Sequence, residues 1–168
     1  QGFMPAKEKI PGEFYKSGSR MKVLLKEIKM TPRGKQLIVS RSDNDFLVGL
    51  FKLEVPEIDS ETVEIKAIAR EAGSRSKVAV FSTTDGIDPI GACVGQKGVR
   101  INAVLNDLKF GNFEEKIDII LWNEETTKFI ANALSPAQVS EVIIVDEINR
   151  KSKAFVPDDQ LSLAIGKE

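Results

Sequence analysis

An internal repeat of roughly 70 residues constrains the fold of this chain more than any other feature of its sequence. Residues 42–122 are patterned as helix, strand, strand, helix, helix and strand, and residues 123–168 begin the same order again. The segments Val94-Gly95-Gln96-Lys97 and Ile165-Gly166-Lys167-Glu168 align as an apolar residue, a glycine and a polar pair. The repeat therefore predicts two related modules in tandem, each with a helix-turn-helix packed on a small sheet.

The spacing of apolar residues predicts the elements within each copy. In the first copy we expect a helix over 42–53, strands over 62–69 and 76–82, two helices over 88–108 and a strand over 116–122. In the second copy we expect a helix over 123–134, strands over 139–148 and 151–157, and a helix over 158–168 that reaches a glycine. Ser42 is the candidate N-cap of the first helix, and Pro56 should end that helix because proline restricts the residue before it to extended geometry.

The segment ahead of the repeat is predicted to be β-structure. Residues 20–28 and 35–41 alternate like strands around the turn signal TPRG at 31–34, and residues 1–5 resemble another short strand. Short strands joined in this way are typical of a small antiparallel barrel. We expect the chain to start inside that barrel, with its earlier strands missing, and the absence of Met at position 1 supports a fragment.

The residue composition argues against several kinds of catalytic site. The chain has no histidine and a single cysteine, Cys93, so Ser-His-Asp catalysis and zinc sites that need several Cys or His ligands are not expected. Cys93 lies between Ala92 and Val94, which favours buried packing over a reactive thiol. No apolar run approaches the roughly 20 residues of a membrane helix. We therefore expect a cytoplasmic protein that is not an enzyme and carries no cofactor or metal.

The charge is distributed unevenly along the chain. Residues 1–41 contain ten Lys and Arg against three Glu, a net charge of +7, which leaves −8 for residues 42–168 out of a total of −1. A basic N-terminal segment is typical of a protein with an acidic partner such as nucleic acid, and a solvated basic surface explains the same charge distribution equally well.

The segment GACVGQKGVR (91–100) carries three glycines, two cations and the junction of two predicted helices. It lacks the order of a nucleotide-binding P-loop, in which Gly, four residues and Gly-Lys-Ser/Thr follow one another. A Gly-x-x-Gly turn such as Gly95 to Gly98 lets a backbone approach phosphates closely, while the next helix offers its positive N-terminus. The competing interpretation is a purely structural helix turn. The matching turn in the second copy favours the phosphate-binding interpretation.

These motifs resemble the KH modules of the NusA family of bacterial transcription elongation factors. The blocks that carry the resemblance are IPGEFYKSG (10–18), LFKLEVPEI (50–58), AREAGSRSKVAV (69–80), IDPIGACVGQKGVRI (87–101) and IDIILW (117–122). The family order is a polymerase-binding domain, an OB-fold barrel and two KH domains. The resemblance implies an α+β fold with the C-terminal part of an OB-fold barrel at 1–41, a first type II KH domain at 42–122 and a partial, truncated second KH domain at 123–168.

The resemblance also implies a function and a set of site residues. KH domains clamp about four single-stranded nucleotides, with the Gly-x-x-Gly against the backbone. The implied partners are nascent RNA, RNA polymerase through a domain absent from this chain, and other antitermination factors, and the implied role is in pausing, termination and antitermination. The implied RNA-binding residues are Gly95, Gln96, Lys97, Gly98 and Arg100, with Gly166, Lys167 and Glu168 in the second copy.

Other assignments stay open at this point. The hairpin cations Arg70, Arg75 and Lys77 are candidate additional RNA contacts or the solvated residues of a turn. A KH- and OB-containing RNA-processing protein, and a protein-interaction scaffold of the transcription machinery, are the alternative functions. The strand residues Ile117, Ile119 and Leu121 face either the core or an RNA groove, and the core is favoured.

Overall fold

Short helices and strands follow one another along the chain in an α+β arrangement. The structure is a computed structural model that describes residues 2–109 and 114–166. The strands are β1 (Gly2–Phe3), β2 (Leu24–Thr31), β3 (Gly34–Ser40), β4 (Val63–Glu71), β5 (Arg75–Ser82), β6 (Lys116–Leu121), β7 (Glu141–Asp146) and β8 (Lys151–Phe155). The α-helices are α1 (Asn44–Glu54), α2 (Pro56–Asp59), α3 (Pro89–Val94), α4 (Val99–Leu108), α5 (Thr126–Ala133) and α6 (Leu161–Ile165). Single 3₁₀ turns occupy Ala6–Glu8, Gln96–Gly98 and Asp158–Gln160.

The first sheet has the strand order β1-β3-β2. Strands β2 and β3 form the expected hairpin, in which Thr31 pairs with Gly34 at the tip. β1 pairs with β3 in parallel, with Gly2 opposite Leu37, so the expectation of purely antiparallel pairing is wrong. In this sheet β3 lies between β1 and β2, so β1 has a neighbour that does not follow it in sequence. Greek-key barrels such as the OB fold have non-sequential strand orders of this kind.

The N-cap of helix α1 lies one residue later than the sequence suggested. Its N-cap is Asp43, whose carboxylate accepts a hydrogen bond from the backbone N–H of Asp45 at 3.0 Å. The predicted cap, Ser42, instead donates its hydroxyl to the carbonyl of Lys7 at 3.0 Å. Asp and Ser are comparable N-caps in isolation, so this long-range contact of Ser42 decides between them. The helix ends before Val55, which is extended as expected, and Pro56 opens the four-residue helix α2.

The second sheet is mixed and has the order β4-β5-β6. β5 pairs antiparallel with β4 through the hairpin at Glu71 and Arg75, and parallel with β6, where Val78 lies opposite Ile119. Helices α1 and α3 pack against this sheet, and α4 packs against both of these helices. This element order and pairing are those of a type II KH domain.

One cluster of buried apolar side chains lies between that sheet and its helices. Its members are Phe46, Leu47, Leu50, Phe51, Val55, Ile58, Val63, Val78, Val80, Cys93, Val104 and Leu108. Ile117 and Ile119 pack against the cluster, which confirms their predicted place at the core, whereas Leu121 is 39% exposed and the same prediction is wrong for it. Cys93 has no exposed surface, and burial raises the pKa of its thiol to about 12. The thiol therefore stays protonated at neutral pH and serves packing, as predicted.

The second copy repeats the element order as far as α6. Strands β7 and β8 form the predicted hairpin, with Glu141 opposite Phe155, and α5 packs against β7 and also against β6 of the first copy. α5 and α6 contain no buried residue among those described. As far as α6 the two copies therefore have the same order of elements, and α5 and α6 contribute no buried residue to a core.

The junction between the copies is lined by aromatic rings. Trp122 at the end of β6 contacts Phe81 of β5 edge-on, with ring centroids 5.4 Å apart, and Phe129 of α5 at 6.5 Å. The ammonium group of Lys66 lies over both Phe81 and Trp122. The side-chain amide of Asn132 donates to the carbonyl of Leu121 at 2.9 Å. These contacts dock α5 on the first module.

Candidate nucleic-acid interface

The glycine turn joins α3 to α4 at the edge of the first KH module. Gly95 has φ 72° and ψ 171°, a region that is essentially restricted to glycine, and Gly98 is left-handed with φ 76° and ψ 15°. Lys97, between them, is also left-handed at φ 52°. The N–H of Gly98 donates to the carbonyl of Gly95 at 3.1 Å. The backbone thus requires glycine at position 95, and the left-handed backbone at position 98 favours glycine.

The two helices at this turn begin differently. Helix α3 starts with Pro89 after the cap Asp88, whose carboxylate accepts from the N–H of Ile90 at 3.1 Å. Helix α4 starts after Gly98, and no side chain caps its first turn. The first N–H groups of α4 therefore lack a side-chain acceptor, and the positive end of the helix dipole lies at the turn. Gln96 and Lys97 are exposed at the same place.

Arg100 lies on the inner side of the turn. Its Nη1 donates to the carbonyl of Ala92 at 2.7 Å and to Oε2 of Glu57 at 2.9 Å. A Cβ atom built on Gly95 would lie 2.8 Å from Cγ of Arg100. The structure thus brings Arg100 together with the other predicted residues of the turn, but directs at least part of its guanidinium group toward protein atoms.

Arg70 does not reach the surface, which corrects its assignment as a candidate RNA contact. Its Nε and Nη2 donate to the two carboxylate oxygens of Glu115 at 2.8 and 3.0 Å, and its Nη1 donates to the carbonyl of Asp43 at 2.8 Å. The side chain of Arg70 has no exposed area. A guanidinium buried and paired in this way is unavailable to RNA, and loss of its partner would leave an uncompensated buried charge.

Glu115 is the acceptor at the centre of this buried cluster. Burial alone would raise the pKa of Glu115, but hydrogen bonds from Arg70, the backbone N–H of Gly73 and the hydroxyl of Ser76 outweigh burial and hold the pKa below its usual value. The carboxylate is therefore ionised at neutral pH. It ties the β4–β5 turn to the start of β6.

The two other hairpin cations lie closer to solvent. Arg75 is half exposed and donates from Nε to Asp118 at 2.8 Å. The ammonium group of Lys77 donates to the carbonyl of Ser135 at 2.6 Å. Burial lowers the pKa of Lys77, with the neighbouring Asp118 acting in the opposite direction. Lys77 thus joins the first module to the segment after α5, whereas Arg75 keeps exposed donor surface.

The second glycine turn is described only at its first residue. Gly166 has φ 71° and ψ −143°, and its N–H donates to the carbonyl of Ser162 at 3.2 Å at the end of α6. A Cβ atom at Gly166 would meet no heavy atom within 4 Å. Lys167 and Glu168 lie outside the described residues. Gly166, which aligns with Gly95, thus also has backbone angles that favour glycine.

Sequence reasoning missed Glu57 as a residue of this site. Glu57 lies 43 positions before Arg100 in the chain, and it reaches Arg100 from α2, whose Ile58 belongs to the same buried cluster as Cys93 of α3 and Val104 of α4. A single carboxylate in a short helix gives no pattern that predicts such a partner. The glycine spacing was the only strong local signal, and it identified the turn but not the groups behind it.

Within residues 2–109 and 114–166, no helix is long and apolar enough to cross a membrane. The same residues contain no group of three or more Cys, Asp or Glu side chains placed to hold a metal ion.

The fold and the two aligned glycine turns define a protein with tandem KH domains. The family model of the NusA-like first KH domain matches residues 41–122, and that of the NusA-like second KH domain matches residues 126–168. Because the two matches occur in family order and proteins of that name match nearly the whole chain at 43–50% identity, this chain belongs to the NusA family.

Three of these relatives illustrate the similarity. Each is named transcription termination/antitermination protein NusA. The protein of Bacillus subtilis is 46% identical over 167 residues, covering 99% of this chain and 44% of the relative. That of Thermus thermophilus is 50% identical over 166 residues, covering 99% and 42%, and that of Mycobacterium tuberculosis is 45% identical over 168 residues, covering 100% and 47%. The chain therefore spans less than half the length of these relatives.

Proposed function

We propose that this chain binds single-stranded nascent RNA as part of a transcription factor that modulates pausing, termination and antitermination by RNA polymerase. The observation that carries the proposal is the uncapped glycine turn at the start of α4, within a domain that matches the NusA-like first KH family. The relatives' name, transcription termination/antitermination protein, supports the transcriptional role.

RNA binding at this turn rests on three physical features. The glycines at 95 and 98 leave no side chain between the backbone and an approaching phosphate. The first turn of α4, which no side chain caps, and the helix dipole attract an anion. Lys97 adds an exposed charge, and Gln96 adds an exposed amide that can donate to phosphate oxygens. The two KH modules together bind one continuous RNA strand. The first module contacts it through the glycine turn, and the second through Gly166, Lys167 and Glu168.

We also propose a domain organisation and protein partners for this chain. Residues 1–41 are part of an OB-fold barrel, residues 42–122 the first KH domain and residues 123–168 part of the second. RNA polymerase and other antitermination factors are the protein partners. The chain works in the cytoplasm as a binding module without catalytic turnover. Arg75 is retained as an additional RNA contact because half of its side chain is exposed.

The proposal is tested by changing Gln96 and Lys97 together to Asp. Two carboxylates beside the phosphates should lower the affinity for an unstructured single-stranded RNA about tenfold or more, because a charge-assisted hydrogen bond contributes roughly 1.5–3 kcal/mol. Asp tolerates the left-handed backbone at position 97. Dissociation constants are measured by fluorescence anisotropy at one fixed salt concentration.

The matched control makes the same change of charge at the other end of α4. Asn106 and Lys109 are exposed there, and their joint replacement by Asp also changes the net charge by −3. The control should lose about threefold or less in affinity, because long-range repulsion alone is screened within roughly 10 Å. Equal losses in both double variants, or none in either, would reject the turn as the RNA contact and favour a protein-interaction scaffold.

A further inference from the structure

The inner side of the glycine turn contains an ion pair that faces the protein. The guanidinium of Arg100 bridges the carbonyl of Ala92 in the last turn of α3, at 2.7 Å, and the carboxylate of Glu57 in α2, at 2.9 Å. The side chains of Arg100 and Glu57 are about equally covered, with 30% and 31% of their areas exposed. One side chain of α4 therefore links three helices directly behind the turn.

Gly95 rests on the aliphatic part of the same arginine. A Cβ atom at Gly95 would lie 2.8 Å from Cγ of Arg100 and 3.1 Å from its Cβ and Cδ. Real Cβ atoms essentially never show a contact of 2.8 Å. A side chain at position 95 would therefore require the aliphatic part of Arg100 to move. The φ and ψ angles of the turn are thus supported from within by Arg100.

We infer that Arg100 and Glu57 are positioning residues of the RNA site. They hold the glycine turn and the start of α4 in the conformation that receives phosphate. Arg100 thus affects RNA binding through the turn and not through its own contact with phosphate. This inference rests on the proposed function. A carboxylate this close to a site for a polyanion should weaken binding if charge alone mattered. The place of Glu57 at the end of the Arg100 side chain is explained by orientation, because a charge-assisted pair fixes the guanidinium on the Ala92 carbonyl.

The competing arrangement is direct contact between Arg100 and a phosphate through its remaining N–H groups, since a guanidinium carries five donors. The two arrangements predict opposite results for Glu57. Removing the carboxylate removes a negative charge near the RNA, which tightens binding if Arg100 is a phosphate contact. The same change loosens the turn, and so weakens binding, if the pair is a positioning device.

The experiment compares Glu57→Ala and Arg100→Lys with the control Asp59→Ala in the whole chain. Asp59 is an exposed residue of the same short helix and also carries one negative charge. We expect Glu57→Ala to weaken binding of an unstructured RNA about three- to tenfold. Arg100→Lys, which keeps the charge but not the planar fork, should have a similar effect. Asp59→Ala should leave binding unchanged or slightly tighter.

The salt dependence of binding separates positioning from phosphate contact. Each phosphate neutralised on a single strand contributes roughly 0.7 to the slope of log K against log salt concentration. We expect Arg100→Gln to lower affinity with the slope unchanged. A slope reduced by about 0.7 in Arg100→Gln, together with unchanged or tighter binding by Glu57→Ala, would overturn the inference.

Hydrogen exchange of the turn amides provides a measurement that needs no RNA. The N–H groups of residues 95–98 should exchange faster in Glu57→Ala and Arg100→Lys than in the unmodified chain, while the amides of β5 exchange unchanged. Unchanged exchange at the turn overturns the inference even if RNA binds. If the unmodified chain fails to bind RNA while the turn still loosens in both variants, the proposed function fails and the structural support of the turn by Arg100 stands.

Discussion

The two copies of the repeat have the same order of elements but differ in how far each element is buried. In the first copy, α1 contributes Phe46, Leu47, Leu50 and Phe51 to the core. Its counterpart α5 in the second copy has no buried residue, and every residue of β8 is exposed. The comparison shows that periodicity specifies which elements form, whereas burial requires a second layer. In the first copy that layer consists of α1, α3 and α4, and in the second copy α5 packs against the hairpin strand β7.

The largest expected difference concerns the core. Phe51 has no exposed area, and replacing it by Ala should lower the free energy of unfolding by about 3–5 kcal/mol. Ile143 in β7 of the second copy is 43% exposed, and Ile143→Ala should cost under about 1 kcal/mol. Urea unfolding followed by far-ultraviolet circular dichroism measures both. Equal losses would show that the second copy has a core comparable to the first.

The next difference concerns ion pairs. Glu115→Ala leaves the buried guanidinium of Arg70 without its partner and should cost about 3 kcal/mol. In the second copy, Glu125 pairs with Lys128 on the surface, where both side chains are more than half exposed, and Glu125→Ala should produce no measurable change. Thermal unfolding of the two variants at pH 7 gives the comparison, and a loss of similar size in both would contradict it.

The contribution of Glu115 should also depend on pH. Its pKa in the folded protein lies below the ordinary value of 4.5, so its charge stabilises the fold above about pH 4.5, and this contribution is lost as the pH falls through the lowered pKa. The difference in unfolding free energy between the unmodified chain and Glu115→Gln should therefore be constant from pH 7 to about pH 5 and shrink below it. A difference that grows on acidification contradicts the lowered pKa.

The smallest expected difference in the free energy of unfolding is between substitutions of Gly95 and Gly166. Ala strains the backbone at both Gly95 and Gly166, but only at Gly95 does its methyl group collide with another residue. Gly95→Ala should cost about 2 kcal/mol. Gly166→Ala should cost no more than about 1 kcal/mol, because α6 has five residues and none is buried. Urea unfolding of the two variants measures this difference, and a larger loss at Gly166 would contradict the structure of the turns.

Most of the local structure was predictable from the sequence. The apolar periodicity identified the elements of both copies, and the glycine spacing located the turn between α3 and α4, because these signals involve residues within a few positions of one another. Contacts between distant residues were not predictable. Arg70 and Glu115 are 45 positions apart, and nothing in either segment distinguishes a buried ion pair from two solvated charges.

Two smaller errors have the same origin. Ser42 and Asp43 are both good helix caps, and the contact of Ser42 with Lys7, 35 positions away, leaves Asp43 to cap α1. The parallel pairing of β1 with β3 follows from the path of the chain between β1 and β2, which no alternation pattern encodes. For the candidate site, the sequence indicated the residues on the outer side of the turn, but not the role of Glu57 on its inner side.

The aromatic junction gives the molecule an optical reporter of its own. The chain contains one tryptophan, and that tryptophan contacts Phe81 of the first copy and Phe129 of the second. All indole emission therefore originates where the two modules meet. Separating the modules would expose the indole ring to water and shift its emission to longer wavelengths, so the docking of the second module can be followed in solution without an attached dye.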